Sequence, residues 1–138
     1  MLPYQRDTDT ARLAAPQLAA YTPTTRPLLT RVFRYIEAHY AEPISLREVA
    51  AVVGHSPAYL TDLVRRATGR TVLSWIMERR MAEARYLLLE TDQAVGQVAA
   101  ALGYRRASHF IAHFRRLHGA TPQLWRREQH APRRKITV

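Results

Sequence analysis

The second half of this sequence repeats the first after a shift of about fifty residues. REVAAVVG, residues 47–54, lies on GQVAAALG, residues 96–103, so that Val49 meets Val98, Ala50-Ala51 meet Ala99-Ala100 and Gly54 meets Gly103. One residue further out of step, LVRRATGRTVLSW, residues 63–75, lies on HFRRLHGATPQLW, residues 113–125. There Arg65-Arg66 meet Arg115-Arg116, Gly69 meets Gly119, Thr71 meets Thr121 and Trp75 meets Trp125. Two unrelated Ala/Arg-rich amphipathic helices would share a period, but they would not keep glycines, arginine pairs, a threonine and a tryptophan in step. Repetition on this scale is one supersecondary unit used twice.

The unit itself is legible in HSPAYLTDLVRRATG, His55 to Gly69. Ser56 is an N-cap and Pro57 suits the first helical position, where its missing N–H would have no partner anyway. Tyr59, Leu60, Leu63, Val64 and Ala67 recur at the spacing of a buried face, while Ala58, Thr61, Asp62 and Arg65 lie towards the other side. Gly69 stops the helix. Immediately before it, SLREVAAVVG carries the S-x-x-E capping box on Ser45 and Glu48, with Val49, Ala50 and Val53 facing inward and Gly54 making the turn. Two short helices about a Gly-containing turn form a helix-turn-helix, in which the second helix enters a DNA major groove. In the repeat, the second candidate recognition helix spans Arg105–Gly119, with Phe110, Phe114 and Leu117 as its core face.

The expected fold is all-α: two helix-turn-helix subdomains joined by a long linker helix, about seven helices in total. Residues 1–26, with Pro3, Pro16 and Pro23, read as a linker or partly disordered arm that has a weak helical pattern over Asp9–Ala20. The first subdomain covers 27–70 and opens with a helix whose stripe is Leu29, Val32, Phe33, Ile36 and Tyr40. That helix ends before Pro43. Residues 71–91 form the linker helix, with Trp75, Ile76, Arg80, Ala84, Leu87 and Leu88 on one side. At ~1.5 Å per residue it reaches about 30 Å, close to the ~34 Å between successive major-groove faces on one side of B-DNA. The second subdomain covers 92–129: helices over about Ala94–Leu102 and Ala107–Leu117, then a short one from Pro122, capped by Thr121, to about Glu128. Residues 130–138 form a basic tail.

The charge balance points to a polyanionic partner. Against 11 acidic residues stand 21 Lys and Arg, giving +10 with a pI near 11.0, and nucleic acid is the most economical polyanion. Lys135 is the only lysine, so codon usage explains Arg over Lys but not base over acid. The chain has no cysteine, which excludes disulfides, thiolate chemistry and Cys-based zinc sites and fits a reducing compartment. No apolar run approaches the ~18 residues of a membrane span, and the N-terminus lacks the pattern of a signal peptide. A cytoplasmic protein without membrane contact is expected.

From about Leu28 to Arg127 the sequence resembles the DNA-binding domain of the AraC/XylS family of bacterial transcription regulators. The first unit looks like ISLREVA..VG.S..YL and the linker like WI..RR...A..LL. The second reads VA..LGY....HF...FRR..G.TP..WR, the most specific block. The resemblance implies base-facing positions at Ser56, Pro57, Ala58, Thr61 and Asp62 in the first unit and at Arg106, Ala107, Ser108, Ile111 and Ala112 in the second. The repeat agrees, pairing Ala58 with Ser108 and Asp62 with Ala112. Asp62 departs from the pattern, being acidic where several members carry a basic or amide side chain; a carboxylate accepts from cytosine N4 but repels phosphate. Phosphate contacts are assigned to Arg65, Arg66, Arg105, Arg115 and Arg116, although Arg66 and Arg116 equally suit the solvated face or a helix C-terminus. The expected function is thus a sequence-specific, double-stranded DNA-binding transcription regulator with recognition helices (about 56–68 and 107–118) in adjacent major grooves. The alternative is a basic helical module for protein interaction or non-specific DNA binding.

Other chemistry finds little support. His109 and His113 are one helical turn apart, but HFIAH lacks the glutamate of H-E-x-x-H and a clear third ligand, so no metal is assigned. There is no Gly-rich phosphate loop and no Ser/His/Asp arrangement, so neither an enzyme nor a cofactor is expected. Trp75, Trp125, Tyr59 and Phe110 read as core. The resemblance further implies RNA polymerase as a partner and, in many members, a separate effector domain. Either the chain stands alone, where a monomer suffices, or it is part of a longer regulator, where dimers enter.

Overall fold

The computed structural model describes residues 25–131. Within them are seven α-helices: α1 Arg26–His39, α2 Leu46–Val53, α3 Pro57–Thr68, α4 Val72–Glu90, α5 Val95–Ala101, α6 Ala107–His118 and α7 Pro122–His130. No strand occurs among the described residues. The all-α expectation holds, with α7 running two residues further than the sequence indicated. The Asp9–Ala20 pattern and residues 132–138 of the basic tail lie outside the described residues. Contacts divide the chain within α4, into a first unit ending at Ala82 and a second beginning at Glu83.

In the first unit the core is built from Leu29, Val32 and Ile36 of α1, Val49, Ala50 and Val53 of α2, Leu60 and Val64 of α3, and Val72, Trp75 and Ile76 of α4. Each large aliphatic side chain fully buried there contributes roughly 1.5–3 kcal/mol of transfer free energy. The ends of these short helices are held individually. At the start of α2, the Glu48 carboxylate accepts from the Ser45 backbone N–H at 2.7 Å and also from the Ser45 hydroxyl. Its end is a left-handed Gly54, φ 76°, a conformation that costs a residue with a Cβ. Arg31 of α1 donates to the Val52 carbonyl at 3.0 Å, satisfying a terminal acceptor of α2. Two further arginines of α4 are buried: Arg79 forms a fork with Glu37 at 2.7 and 3.1 Å, and Arg80 donates to the carbonyls of Tyr40 and Glu42 at 2.7 and 2.8 Å.

The second unit buries Ala84, Leu88 and Leu89 of α4, Val98 and Ala99 of α5, Leu102, and Phe110 and Phe114 of α6. Arg126 of α7 donates to the Leu88 carbonyl at 2.8 Å, holding the end of α4.

The repeat survives at atomic level. Gly69 and Gly119 both stand at φ 76°, and each donates to the carbonyl four residues back, of Arg65 or Arg115, at 2.8 Å. Thr71 and Thr121 accept from the N–H groups of Ser74 and Leu124 at 3.0 and 3.3 Å. Thr68 bonds the Val64 carbonyl at 2.8 Å and receives the Trp75 indole N–H at 3.0 Å. At the matching position, His118 bonds the Phe114 carbonyl through Nδ1 at 3.0 Å and meets Trp125 edge-on at 6.1 Å. Arg85 lies 2.9 Å from His118 Nε2. A guanidinium only donates, so the ring proton sits on Nδ1.

Some core assignments need correction. Tyr59 is 48% exposed and stacks on His55 at 4.6 Å. It lies about 100° round the helix from Leu60 and further still from Val64, so it belongs to the rim of the apolar stripe. Leu117 is 55% exposed in the last turn of α6; its direction round the helix is right, but periodicity does not supply a neighbour. Leu124 is likewise exposed, and Trp125 is half-buried. Phe110 and Trp75 are buried as expected.

Candidate nucleic-acid interface

The residues expected to face DNA lie along α3 and α6 or just before them, most of them exposed. On α3, Ser56 caps the helix, its hydroxyl accepting from the Tyr59 N–H at 3.1 Å. Pro57, Ala58 and Asp62 are exposed, and Thr61 is half-buried. Asp62 does not stand alone: its carboxylate pairs with Arg66 at 2.9 Å, one turn on, with both side chains exposed. Such a pair adds little stability in water. It does orient the carboxylate and offset its charge. Arg65 is exposed beside it.

On α6 the first residue before the helix is Arg106, whose side chain makes no capping bond. Arg105, Arg106, Ala107, Ser108 and Ala112 are exposed, Ile111 is half-buried, and Arg115 and Arg116 are exposed at the C-terminal turn. A shallow surface groove along this side is lined by Ser108, Ile111, Ala112, Arg115 and Gly119 among others. The loop entering α6 is one residue longer than its counterpart: Tyr104 and Arg105 separate Gly103 from Arg106, where His55 alone separates Gly54 from Ser56. That insertion accounts for the change of register in the repeat, and it adds a cation at the mouth of the helix.

The two faces differ in charge. From Gln93 to Arg127 the sequence contains six arginines and no carboxylate. The matching stretch of the first unit, Pro43 to Met77, carries four arginines with Glu48 and Asp62. Where Asp62 engages Arg66, the second unit has Ala112, so Arg116 has no acid one turn before it.

Sequence reasoning missed three contributors. The Asp62–Arg66 pair was readable from its i, i+4 spacing. Tyr59 and His55, stacked at the N-terminal end of α3, border the same face; the period-based reading had sent Tyr59 inward. Arg31 steadies the turn before α3 from 21 residues away, a contact no local pattern announces. Of the histidines weighed as ligands, His109 is exposed, and the His113 ring lies 3.3 Å from the Tyr104 hydroxyl. Among the described residues no three His, Asp or Glu side chains cluster as a metal site, and no helix is long and apolar enough to cross a membrane.

A family model described as a helix-turn-helix domain matches residues 49–128. Over 101 residues the chain is 39% identical to the transcriptional activator NphR of Rhodococcus sp., an overlap of 72% of this chain and 30% of that protein. The C-terminal domain of AraT, a response regulator from Geobacillus stearothermophilus, superposes with a TM-score of 0.72 at 26% identity, over 81% of this chain and 92% of that one. The DNA-binding domain of the global transcriptional factor AdpA, solved with a target DNA, superposes with a TM-score of 0.67 at 29% identity, over 75% and 96%. The chain spans about a third of the length of the curated relatives it matches.

Proposed function

We propose, from the premise that this chain belongs to the AraC/XylS family of helix-turn-helix proteins, that it is the sequence-specific DNA-reading part of a transcription regulator. One observation carries the reading: two structurally matched helices, α3 and α6, each carry exposed small side chains, Ser56 and Ala58 on one and Ala107, Ser108 and Ala112 on the other, and each ends in an exposed arginine pair. Small side chains let a helix approach base edges, and arginines at its C-terminal turn can neutralise phosphate. The base-facing set is Ser56, Pro57, Ala58, Thr61 and Asp62 on the first face, and Arg106, Ala107, Ser108, Ile111 and Ala112 on the second. The phosphate set is Arg65, Arg66, Arg105, Arg115 and Arg116. Asp62, oriented by Arg66, accepts from cytosine N4.

The two helices enter adjacent major grooves, a reading supported by α4 being a single helix of 19 residues that joins the two units. Two reading heads in one chain allow a monomer to bind an asymmetric site. RNA polymerase is the further partner the family suggests. An effector domain and dimerisation belong to the reading in which this chain is part of a longer regulator. The reading involves no enzymatic activity and a cytoplasmic location. The working division is an arm over 1–26, heads over 27–70 and 92–129, the linker over 71–91 and a basic tail over 130–138.

The test is selection of binding sites from random duplex DNA, followed by affinity against salt. The winning sites should carry two short motifs about one helical turn apart, and Asp62→Ala should change the preference in one of them. Replacing Arg115 and Arg116 together with alanine should make the slope of log K against log salt shallower by about 1.8, at ~0.9 per phosphate contact. Flat enrichment with persistent salt-sensitive binding would reduce the protein to a non-specific basic module.

A further inference from the structure

The exposed faces of α3 and α6 share a scaffold but not a chemistry. Thr61 and Asp62 of α3 are replaced in α6 by Ile111 and Ala112. The groove beside them is mostly hydrocarbon in its lining, which includes half-buried Ile111, exposed Ala112, and the exposed Arg115 and Arg116. An apolar notch in the most basic stretch of the chain is an odd place for hydrocarbon to face water. A DNA major groove is a good match, because it brings phosphates to the rim and, among its base edges, one apolar group: the 5-methyl of thymine.

Resting on the reading that α6 enters the major groove, we propose that Ile111 and Ala112 recognise a thymine methyl group. The half-site under α6 is then specified by methyl contact, with Ser108 as the hydrogen-bonding group of the same groove. The half-site under α3 is specified by hydrogen bonds with the Thr61 hydroxyl and by bonds that the Asp62 carboxylate accepts. The two halves of the target therefore differ in kind, and the difference can be tested from the DNA side with the unaltered protein.

Each thymidine of the selected site is replaced in turn by deoxyuridine, which removes only the methyl, and the dissociation constant is measured. One or two positions, all in one motif, should weaken binding by about four-fold per methyl, the transfer value of a single carbon. Ile111→Ser, which removes the hydrocarbon branch at that position, should reduce the preference for thymidine over deoxyuridine at the responding position. If no thymidine responds although a site was selected, the methyl inference fails and the DNA reading stands. A response that persists undiminished in Ile111→Ser places the methyl elsewhere and also overturns it. If no site can be selected at all, the underlying reading fails and this one falls with it.

Discussion

Arg80 is the residue whose loss should show most directly what holds the first unit together. Its guanidinium is 8% exposed and donates to the carbonyls of Tyr40 and Glu42 at 2.7 and 2.8 Å. Those carbonyls belong to the end of α1 and the turn before Pro43, where the Glu42 carbonyl also accepts from the Ile44 N–H at 2.7 Å. Arg80→Met keeps the aliphatic stem and removes both bonds. A hydrogen bond to a charged group nets about 1.5–3 kcal/mol. Glu42 is exposed, so water recovers part of the loss at its carbonyl; Tyr40 is half-buried and recovers less. The expected destabilisation is therefore about 2–4 kcal/mol. With an m-value of roughly 1–3 kcal/mol/M for a unit this small, the urea midpoint should fall by about 0.7–4 M. The two tryptophans, Trp75 and Trp125, fall one in each unit, so a Trp125→Phe background makes Trp75 the sole fluorescence reporter of the first. Arg80→Lys keeps the charge and at most one bond and should land between wild type and methionine. A midpoint within about 0.3 M of wild type for Arg80→Met, equivalent to at most about 0.9 kcal/mol, would refute the assignment of Arg80 as the latch on α1.

The remaining expectations concern glycines and acid. Gly119→Ala should destabilise the second unit by about 1 kcal/mol, because φ is 76° and nothing lies within 4 Å of the new methyl, leaving backbone strain as the only cost. In Gly96→Ala, inside α5 and equally open, the sign reverses to about 0.5 kcal/mol of stabilisation; Trp125 fluorescence in urea reports both, and equal signs would sink the argument. The Ser45 hydroxyl, followed by the backbone N–H groups of Glu48 and Ser45, holds the Glu48 carboxyl below its ordinary value of about 4.5. Its contribution is thus complete above that value and is lost as pH falls through the lowered one. Between pH 6 and 3, Glu48→Gln should flatten the acid-side decline of the first unit's urea midpoint; an unchanged decline would show that the capping box does not titrate.

How much was readable follows from the range of the interactions. Caps and stops are local, so Ser45, Ser56 and Thr121 could be placed from a few residues of sequence, and Gly54, Gly69 and Gly119 marked their turns. The apolar stripes were readable wherever both the direction and the opposing surface were assured, as for Leu60 and Phe110. At Tyr59 the direction was marginal, and at Leu117 the opposing surface was missing. The fork from Arg79 to Glu37 spans 42 residues and the bond from Arg126 to Leu88 spans 38. Nothing in the spacing of such arginines separates a buried latch from a solvated cation, and only the fold does so.

The same distinction bears on function. Positions that match across the repeat, Gly69 with Gly119, Thr71 with Thr121 and Trp75 with Trp125, are those that cap, turn or pack. Where the faces point outward the pairs diverge: Ala58 with Ser108, Thr61 with Ile111, Asp62 with Ala112. A scaffold used twice requires the first set to agree and leaves the second free. Ile111, half-buried, and Ala112, exposed, place hydrocarbon on this face in a stretch of six arginines and no carboxylate. The identity of the two heads accounts for the fold. Their difference is what would let one chain read a target without two-fold symmetry, with one half recognised through a carboxylate and the other through hydrocarbon.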